Sequence, residues 1–235
     1  MTHEPLVDGH GRLITDLRVS VTDLCNLRCH YCMVPDTVEW LPRDEILRHE
    51  EIVELVQVFV GLGVREIRLT GGEPLVRKGF VGLAGRIAGI PGIDDLSVTT
   101  NGVLLERDGP ALIAAGIRRV NVSLDALSPE RFAQVTGRDR LAQVLRGLEV
   151  LRDTPGRGRI KVNAVGLRGV TEPELPAFVA LARAQPYQVR FIENMPLGAN
   201  RSWTRDDVLT GEEIRGLIHA IAPLQPVERE AHATA

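Results

Sequence analysis

The three cysteines of this chain, Cys25, Cys29 and Cys32, lie within one eight-residue window and have the spacing Cys-x3-Cys-x2-Cys. Three thiolates can hold a soft metal ion or an iron–sulfur cluster and leave one coordination position open. A closed structural site takes four protein ligands, whereas a catalytic site keeps one position free for a substrate or cofactor. The window therefore indicates chemistry at a metal centre.

The same spacing leaves other interpretations open. Positions i, i+4 and i+7 share one face of a helix, so the cysteines could be small buried apolar residues. A structural zinc site would need a fourth ligand, for which His30 and His49 are the candidates. A disulfide framework is disfavoured because the cysteine count is odd, the chain is long and no secretory signal is present.

Composition excludes several classes of protein. A chain of 235 residues without a linker or low-complexity tract predicts a single domain over residues 1–235. A net charge of −3 argues against a nucleic-acid or membrane-surface partner. The longest apolar stretch, from Ile52 to Val64, contains Glu54 and Gln57, so no membrane span is predicted. Free cysteines without an export signal predict a cytoplasmic location.

Short β-branched runs alternate with helical patterns along the chain, which is typical of repeated βα units and a parallel sheet. Six strands are predicted, at Leu17–Val21, Glu66–Thr70, Leu96–Thr100, Arg119–Leu124, Ile160–Leu167 and Gln188–Ile192. Helices are predicted at Arg43–Gly61, Arg77–Ala88, Glu106–Ala115, Pro129–Val135, Arg140–Arg152, Glu172–Ala184 and Gly211–Ile221. Six units rather than eight indicate an α/β fold with an open, partial barrel.

Polar residues recur at every second position of the six strands, so each strand has one polar and one apolar face. Helices would cover the apolar face, and the polar face would line a ligand cavity inside the barrel. Four strands each place one cation on the polar face: Arg18, Arg68, Lys161 and Arg190. Buried cations need anions, which Glu73, Asp125 and Glu193 could supply as a salt-bridge network. Four cations against three acids favour an added anionic ligand, most simply one that carries phosphate.

The carboxyl ends of the predicted strands carry further polar motifs, and in βα barrels the active site lies at that end. The cysteine window follows the first strand, and Gly71-Gly72-Glu73-Pro74 follows the second. A plain tight turn is the commoner reason for a Gly-Gly pair. Its place beside the cysteines favours the alternative, in which the backbone approaches a ligand closely and presents N–H groups to it.

The cysteine window, with Tyr31 before its last cysteine, resembles the signature of the radical S-adenosylmethionine (radical SAM) superfamily. Longer blocks resemble the GTP 3′,8-cyclase family of molybdenum cofactor biosynthesis. These blocks are Asp16–Asp23, Ile67–Pro74, Thr99–Gly102, Arg119–Asp125, Ile160–Asn163 and Arg190–Glu193. The resemblance extends from about Gly11 to Gly216, which is nearly the whole sequence.

The resemblance implies a radical SAM partial (β/α)6 TIM-like barrel, with a [4Fe–4S] cluster on the three cysteines and SAM at its open iron. It implies a reductant that supplies one electron, a 5′-deoxyadenosyl radical and abstraction of hydrogen from the ribose C3′ of GTP. By position, SAM binding is assigned to Tyr31, Gly72, Ser123 and Met195. GTP binding is assigned to Arg18, Arg68, Thr99 and Lys161, and shared parity adds Arg190. The resemblance assigns no catalytic side chain, and it is compatible with a homodimer.

One departure from the family concerns the cysteines. Family members carry a second trio in a C-terminal segment, for a second [4Fe–4S] cluster that contacts guanine, whereas this sequence has no cysteine after Cys32. We therefore expect a radical SAM core domain in which the C-terminal second-cluster region is absent. Two alternatives remain, namely a radical SAM enzyme for another anionic substrate and a non-catalytic iron–sulfur protein that binds a nucleotide or a partner.

Overall fold

One parallel sheet organises the chain. The computed structural model describes residues 5–32, 40–196 and 203–228. Within them, six strands pair in chain order: β1 (Asp16–Ser20), β2 (Glu66–Thr70), β3 (Asp95–Thr100), β4 (Arg119–Ser123), β5 (Arg159–Gly166) and β6 (Tyr187–Glu193). The predicted α/β fold with six parallel strands is confirmed.

Helices connect successive strands, as the predicted βα units require. The described ranges contain α1 (His49–Gly61), α2 (Phe80–Ala88), α3 (Leu105–Ala114), α4 (Pro129–Thr136), α5 (Leu141–Asp153), α6 (Leu175–Ala184) and α7 (Gly211–Ile221). Across these ranges, no helix combines the length and the apolar character that a membrane span needs.

Three helices begin three to six residues later than their sequence patterns predict. Residues 43–45 form a separate 3₁₀ turn, and α1 begins only after Arg48, whose backbone N–H donates to the Glu51 carboxylate at 2.6 Å. Before α2, Gly79 adopts a left-handed φ of 77°, which a continuous helix from Arg77 would not allow. The segment before α6 is a 3₁₀ turn over Glu172–Glu174.

The two faces of the sheet differ as the alternation predicts. On one face Ile67, Leu69, Val98 and Val122 are fully buried in the main hydrophobic core. The register pairs residues of the other parity with one another: Arg18 with Arg68, Arg68 with Ser97, Thr99 with Asn121, and Asn121 with Lys161. Polar side chains from five neighbouring strands therefore share one face of the sheet.

Candidate active site

The cysteine loop leaves the carboxyl end of β1 and is hydrogen-bonded to the loop that leaves β2. The N–H of Val21 donates to the Thr70 carbonyl at 2.9 Å, which continues the sheet pairing past the end of β1. The N–H of Gly72 donates to the Thr22 carbonyl at 2.7 Å, and that of Glu73 to the Leu24 carbonyl at 2.7 Å. These bonds fix the start of the cysteine loop at the rim of the sheet.

Gly71 and Gly72 are required by this close contact between the two loops. A Cβ on Gly72 would overlap the carbonyl oxygens of Asp23 and Leu24, and one on Gly71 would overlap the Thr22 carbonyl. The Gly72 N–H already has its partner, so the glycine pair serves first to admit the cysteine-loop backbone. Of the two polar backbone groups of Gly72, only the carbonyl group therefore remains for contact with a ligand.

The buried side chain of Glu73 forms hydrogen bonds that stabilise the same rim. Its side chain is 0% exposed, and its carboxylate accepts hydrogen bonds from the Leu75 N–H at 3.0 Å, the Thr100 hydroxyl at 2.8 Å and the Asn101 N–H at 2.6 Å. Burial raises the pKa of Glu73 to about 7, against the lowering effect of these bonds. Glu73 thus joins the ends of β2 and β3.

The three cysteines lie in a loop without helical structure, so the interpretation as one apolar helix face is wrong. All three are free thiols; Cys25 and Cys29 are partly buried and Cys32 is exposed. Burial raises the pKa of each thiol. The Leu27 N–H and the Asn101 side chain point at the Cys25 sulfur, at 3.4 and 3.7 Å. Such donors favour the thiolate form that a metal ligand needs.

Three thiols without a fourth cysteine are a donor set that an iron–sulfur cluster with one open iron takes. In the part of the chain that the structure describes, no three His, Cys, Asp or Glu side chains come together as ligands of one metal ion. The zinc alternative with His30 or His49 therefore has no support among these residues. In a cluster each thiolate binds a different iron, so the sulfurs need not converge on one point.

The residues predicted to bind SAM lie on the same rim but do not all meet. The Tyr31 hydroxyl reaches the buried Asp125 carboxylate just beyond β4. Tyr31 and Met195 line one cavity of about 310 Å³, together with Asn194 and Trp203. Gly72 and Ser123 do not line that cavity; the first lies after β2, and the second is the half-buried last residue of β4.

The predicted GTP-binding cations lie on the polar face of the sheet. Among the described residues, no ion pair involves any of Arg18, Arg68, Lys161 and Arg190. Glu73 and Asp125 are engaged elsewhere, and Glu193 accepts the Gly211 N–H at 2.6 Å. The internal salt-bridge network is therefore wrong as an account of the four cations.

Burial and mutual repulsion act on three of these cations. Burial, then nearby arginines, lower the pKa values of Arg68, Lys161 and Arg190. Lys161 is only 8% exposed, and the Arg68 Nε is buried without a hydrogen-bond partner. Arg18, in contrast, is exposed at the edge strand β1.

Polar neighbours hold part of this surface in place. The Arg190 guanidinium donates to the side-chain oxygens of Asn163 at 2.9 Å and Asn121 at 3.1 Å. Thr99 is half-buried and is paired with Asn121 across the sheet. The face thus presents fixed, partly desolvated cations and uncharged donors, which is a surface suited to a polyanion.

Sequence reasoning missed one charged group on this face. Arg119, at the start of β4, forms ion pairs with Glu66 and Asp95, the first residues of β2 and β3. The sequence contains a signal for this contact, because Glu66 and Asp95 lie two residues before Arg68 and Ser97 and therefore share the polar face with them.

Known proteins resemble this chain along most of its length. The family model of the radical SAM superfamily matches residues 19–182. A "GTP 3′,8-cyclase 2" of Pseudomonas aeruginosa is 48% identical over 227 residues, which cover 96% of this chain and 68% of that protein. A GTP 3′,8-cyclase of Streptomyces coelicolor is 47% identical over 89% of this chain and 61% of its own length. One from Pelotomaculum thermopropionicum is 47% identical, covering 95% and 69%.

Solved structures share the fold at lower sequence identity. Streptococcus suis SuiB bound to S-adenosylmethionine has a TM-score of 0.68 and 15% identity, over 88% of this chain and 46% of that one. The anSMEcpe protein with bound AdoMet and a peptide has a TM-score of 0.67 and 18% identity, covering 86% of this chain and 57% of the other. These likenesses support the fold.

Proposed function

Because the chain belongs to the radical SAM superfamily and, within it, to the GTP 3′,8-cyclases, we propose that it converts GTP in the first step of molybdenum cofactor biosynthesis. The chain spans 61 to 69% of the length of the three relatives compared, so the activity of those complete proteins is a proposal here. One observation carries it: a three-cysteine loop, fixed by the Gly71–Gly72 pair, lies at the rim of a sheet face whose cations form no ion pair with any described residue.

The cofactors of this family are a [4Fe–4S] cluster and SAM, and the chain has residues suited to both. Cys25, Cys29 and Cys32 would hold the cluster, since they are the three thiols of the sequence and lie on one fixed loop. When bound, the cluster supplies the electron that starts radical chemistry on SAM. The protein's own part is to orient SAM and to shield it from water.

Orientation of SAM is assigned to residues along the rim. The Gly72 carbonyl is a polar group whose N–H is already bonded inward, so it is fixed in position for a donor on SAM. Tyr31 and Met195 line one cavity beside the cluster loop and would contribute side-chain surface for SAM there. Ser123 adds a hydroxyl at the end of β4.

The cations below the rim would hold the triphosphate of GTP. Lys161, Arg68 and Arg190 are partly desolvated and repel one another, so an anion that neutralises them relieves an electrostatic cost already present in the fold. Thr99 offers a hydroxyl beside them. The triphosphate held there would place the ribose between the cations and the rim, near SAM.

The test is turnover by anaerobically reconstituted protein with SAM, dithionite and GTP deuterated at C3′. The expected result is 5′-deoxyadenosine that carries deuterium, together with a cyclised guanine nucleotide. SAM cleavage without deuterium transfer would favour another anionic substrate. An intact cluster without any SAM cleavage would favour the non-catalytic alternative, and ATP in place of GTP tests whether the base is read.

A further inference from the structure

An ion triad lies at the amino ends of three neighbouring strands. The Arg119 Nη2 is 2.9 Å from Oε2 of Glu66 and 2.7 Å from Oδ2 of Asp95. Glu66 and Asp95 are directly paired in the sheet register. Asp16 and Arg159, the first residues of β1 and β5, lie in the same layer, paired with Glu66 and Arg119. Three carboxylates and two guanidiniums leave one net negative charge, so this end of the polar face is anionic where the middle is cationic.

Two members of the triad and two of the four cations line one cavity. Glu66 precedes Arg68 by two residues on the same face, so it lies about 7 Å along β2 toward the amino end. A cavity of about 410 Å³ is lined by Arg18 and Arg68 and also by Glu66 and Arg119. A polyanion that binds the two arginines would therefore meet the carboxylates if it extended further into the same space.

The charges of the two layers act on each other. Burial lowers the pKa of Arg68, the neighbouring Arg18 and Arg119 lower it further, and Asp16 and Glu66 oppose them. The Glu66 side chain keeps 38% of its surface exposed, whereas that of Arg119 keeps 15%. The Asp95 side chain keeps 26%, so Glu66 is the most exposed member of the triad, and the Arg119 guanidinium holds its carboxylate in place.

We propose that Glu66, positioned by Arg119, is a specificity-determining residue that marks the inner end of the polyphosphate site. The negative charge of Glu66 repels any phosphate group that extends beyond Arg18 and Arg68 toward the amino ends of the strands. Each such phosphate therefore adds less to the binding affinity. This role of Glu66 rests on the proposed anion site. It predicts that the site disfavours polyphosphate chains longer than a triphosphate.

The experiment measures binding of inorganic tripolyphosphate and tetrapolyphosphate to the reconstituted full chain by calorimetry. Glu66→Gln keeps an oxygen for Arg119 and removes one negative charge. We expect it to tighten tetrapolyphosphate about three- to tenfold and tripolyphosphate less, from one partly screened unit charge. Arg119→Gln leaves two carboxylates unpaired and should weaken both ligands by a similar factor.

Glu106→Gln is the matched control, because Glu106 forms its ion pair with Arg146, at 3.0 Å, between α3 and α5. It should change neither affinity. If the triad has only a structural role, every triad variant should bind both ligands more weakly, or the ratio of the two affinities should not change. Either result overturns the inference. If Arg119→Gln does not fold, Glu66→Gln and Asp95→Asn decide the question.

Failure of the site itself is recognised separately. Lys161→Ala should weaken tripolyphosphate binding whether or not Glu66 sets the limit. If Lys161→Ala has no effect, the proposed anion site is wrong. If it weakens binding and Glu66→Gln leaves the ratio of affinities unchanged, only the role of the triad is wrong.

Discussion

The Tyr31 hydroxyl donates a 2.8 Å hydrogen bond to Oδ2 of Asp125, and this contact joins the cysteine loop to the end of β4. Asp125 is 4% exposed, and its other oxygen accepts the Val165 N–H at 2.8 Å. Burial raises the pKa of Asp125, against the effect of both hydrogen bonds. One carboxyl group therefore connects the cysteine loop with two strands of the sheet.

Tyr31→Phe should lower the free energy of unfolding by about 1–3 kcal/mol, because it leaves a buried carboxylate oxygen without a partner. It should also weaken SAM binding, since the loop that carries the cysteines loses its attachment to β4. Iron content after reconstitution should stay near that of the unmodified chain. Urea unfolding, equilibrium SAM binding and iron analysis measure the three quantities.

Tyr187→Phe is the matched control, since the chain has two tyrosines and both hydroxyls are bonded. Tyr187 donates to the Leu148 carbonyl at 3.1 Å, away from the rim. This variant should lose stability and bind SAM normally. Equal loss of SAM affinity in both variants would mean that the Tyr31–Asp125 contact does not position the loop.

Gly72→Ala should impair cluster assembly rather than only SAM binding. The added methyl group would overlap the backbone of Asp23 and Leu24, so the cysteine loop must move away from the β2 loop. We expect a large loss of iron after anaerobic reconstitution, measured per folded chain. Gly82→Ala, in α2 with open space around it, should assemble a normal cluster and serves as the control. Normal iron content in Gly72→Ala would contradict this assignment.

The strands could be predicted from the sequence because their alternation is local. Every predicted strand bound lies within one residue of the observed one. Helix starts were less predictable, since they depend on single residues such as Gly79 and Arg48, whose backbone geometry no periodic pattern reveals.

Contacts across strands were the harder part. The packing of Gly72 against Leu24 and the ion pair of Arg119 with Glu66 join segments far apart in the chain. Parity indicates which face a side chain occupies, but the register decides what lies opposite. The cations were therefore predictable on the polar face. That they form no ion pair with any described residue became visible only in the structure, where Glu73 and Asp125 are bonded elsewhere.

Lysine substitution tests the anion site with an internal control, because the chain has two lysines, Lys78 and Lys161. Lys161→Ala should weaken GTP binding on the order of tenfold or more, from loss of a charge-assisted contact of roughly 1.5–3 kcal/mol. Lys78 is exposed before α2, so Lys78→Ala should bind GTP normally. Equal affinities of the two variants for GTP would contradict the site.

Glu174 should make stability depend on pH. The side chain is 3% exposed, and its carboxylate accepts hydrogen bonds from the Ser128 N–H at 2.9 Å, the Ser128 hydroxyl at 2.6 Å and Arg131 at 3.1 Å. Burial alone would raise the pKa of Glu174, but the Ser128 and Leu127 bonds outweigh it and hold the pKa below 4.5. These bonds join the turn before α6 to the start of α4.

A carboxyl group whose pKa is lowered by folding stabilises the fold above its unfolded pKa, and that contribution is lost as pH falls through the folded pKa. Glu174→Gln should therefore lower the free energy of unfolding by about 1–3 kcal/mol at pH 7, and the difference from the unmodified chain should narrow below pH 4.5. Urea unfolding of both proteins side by side at pH 7 and in acid measures this difference. Glu172→Gln, two residues earlier, should change stability less. A difference that stays constant into acid would show that the charge of Glu174 is not what stabilises this contact.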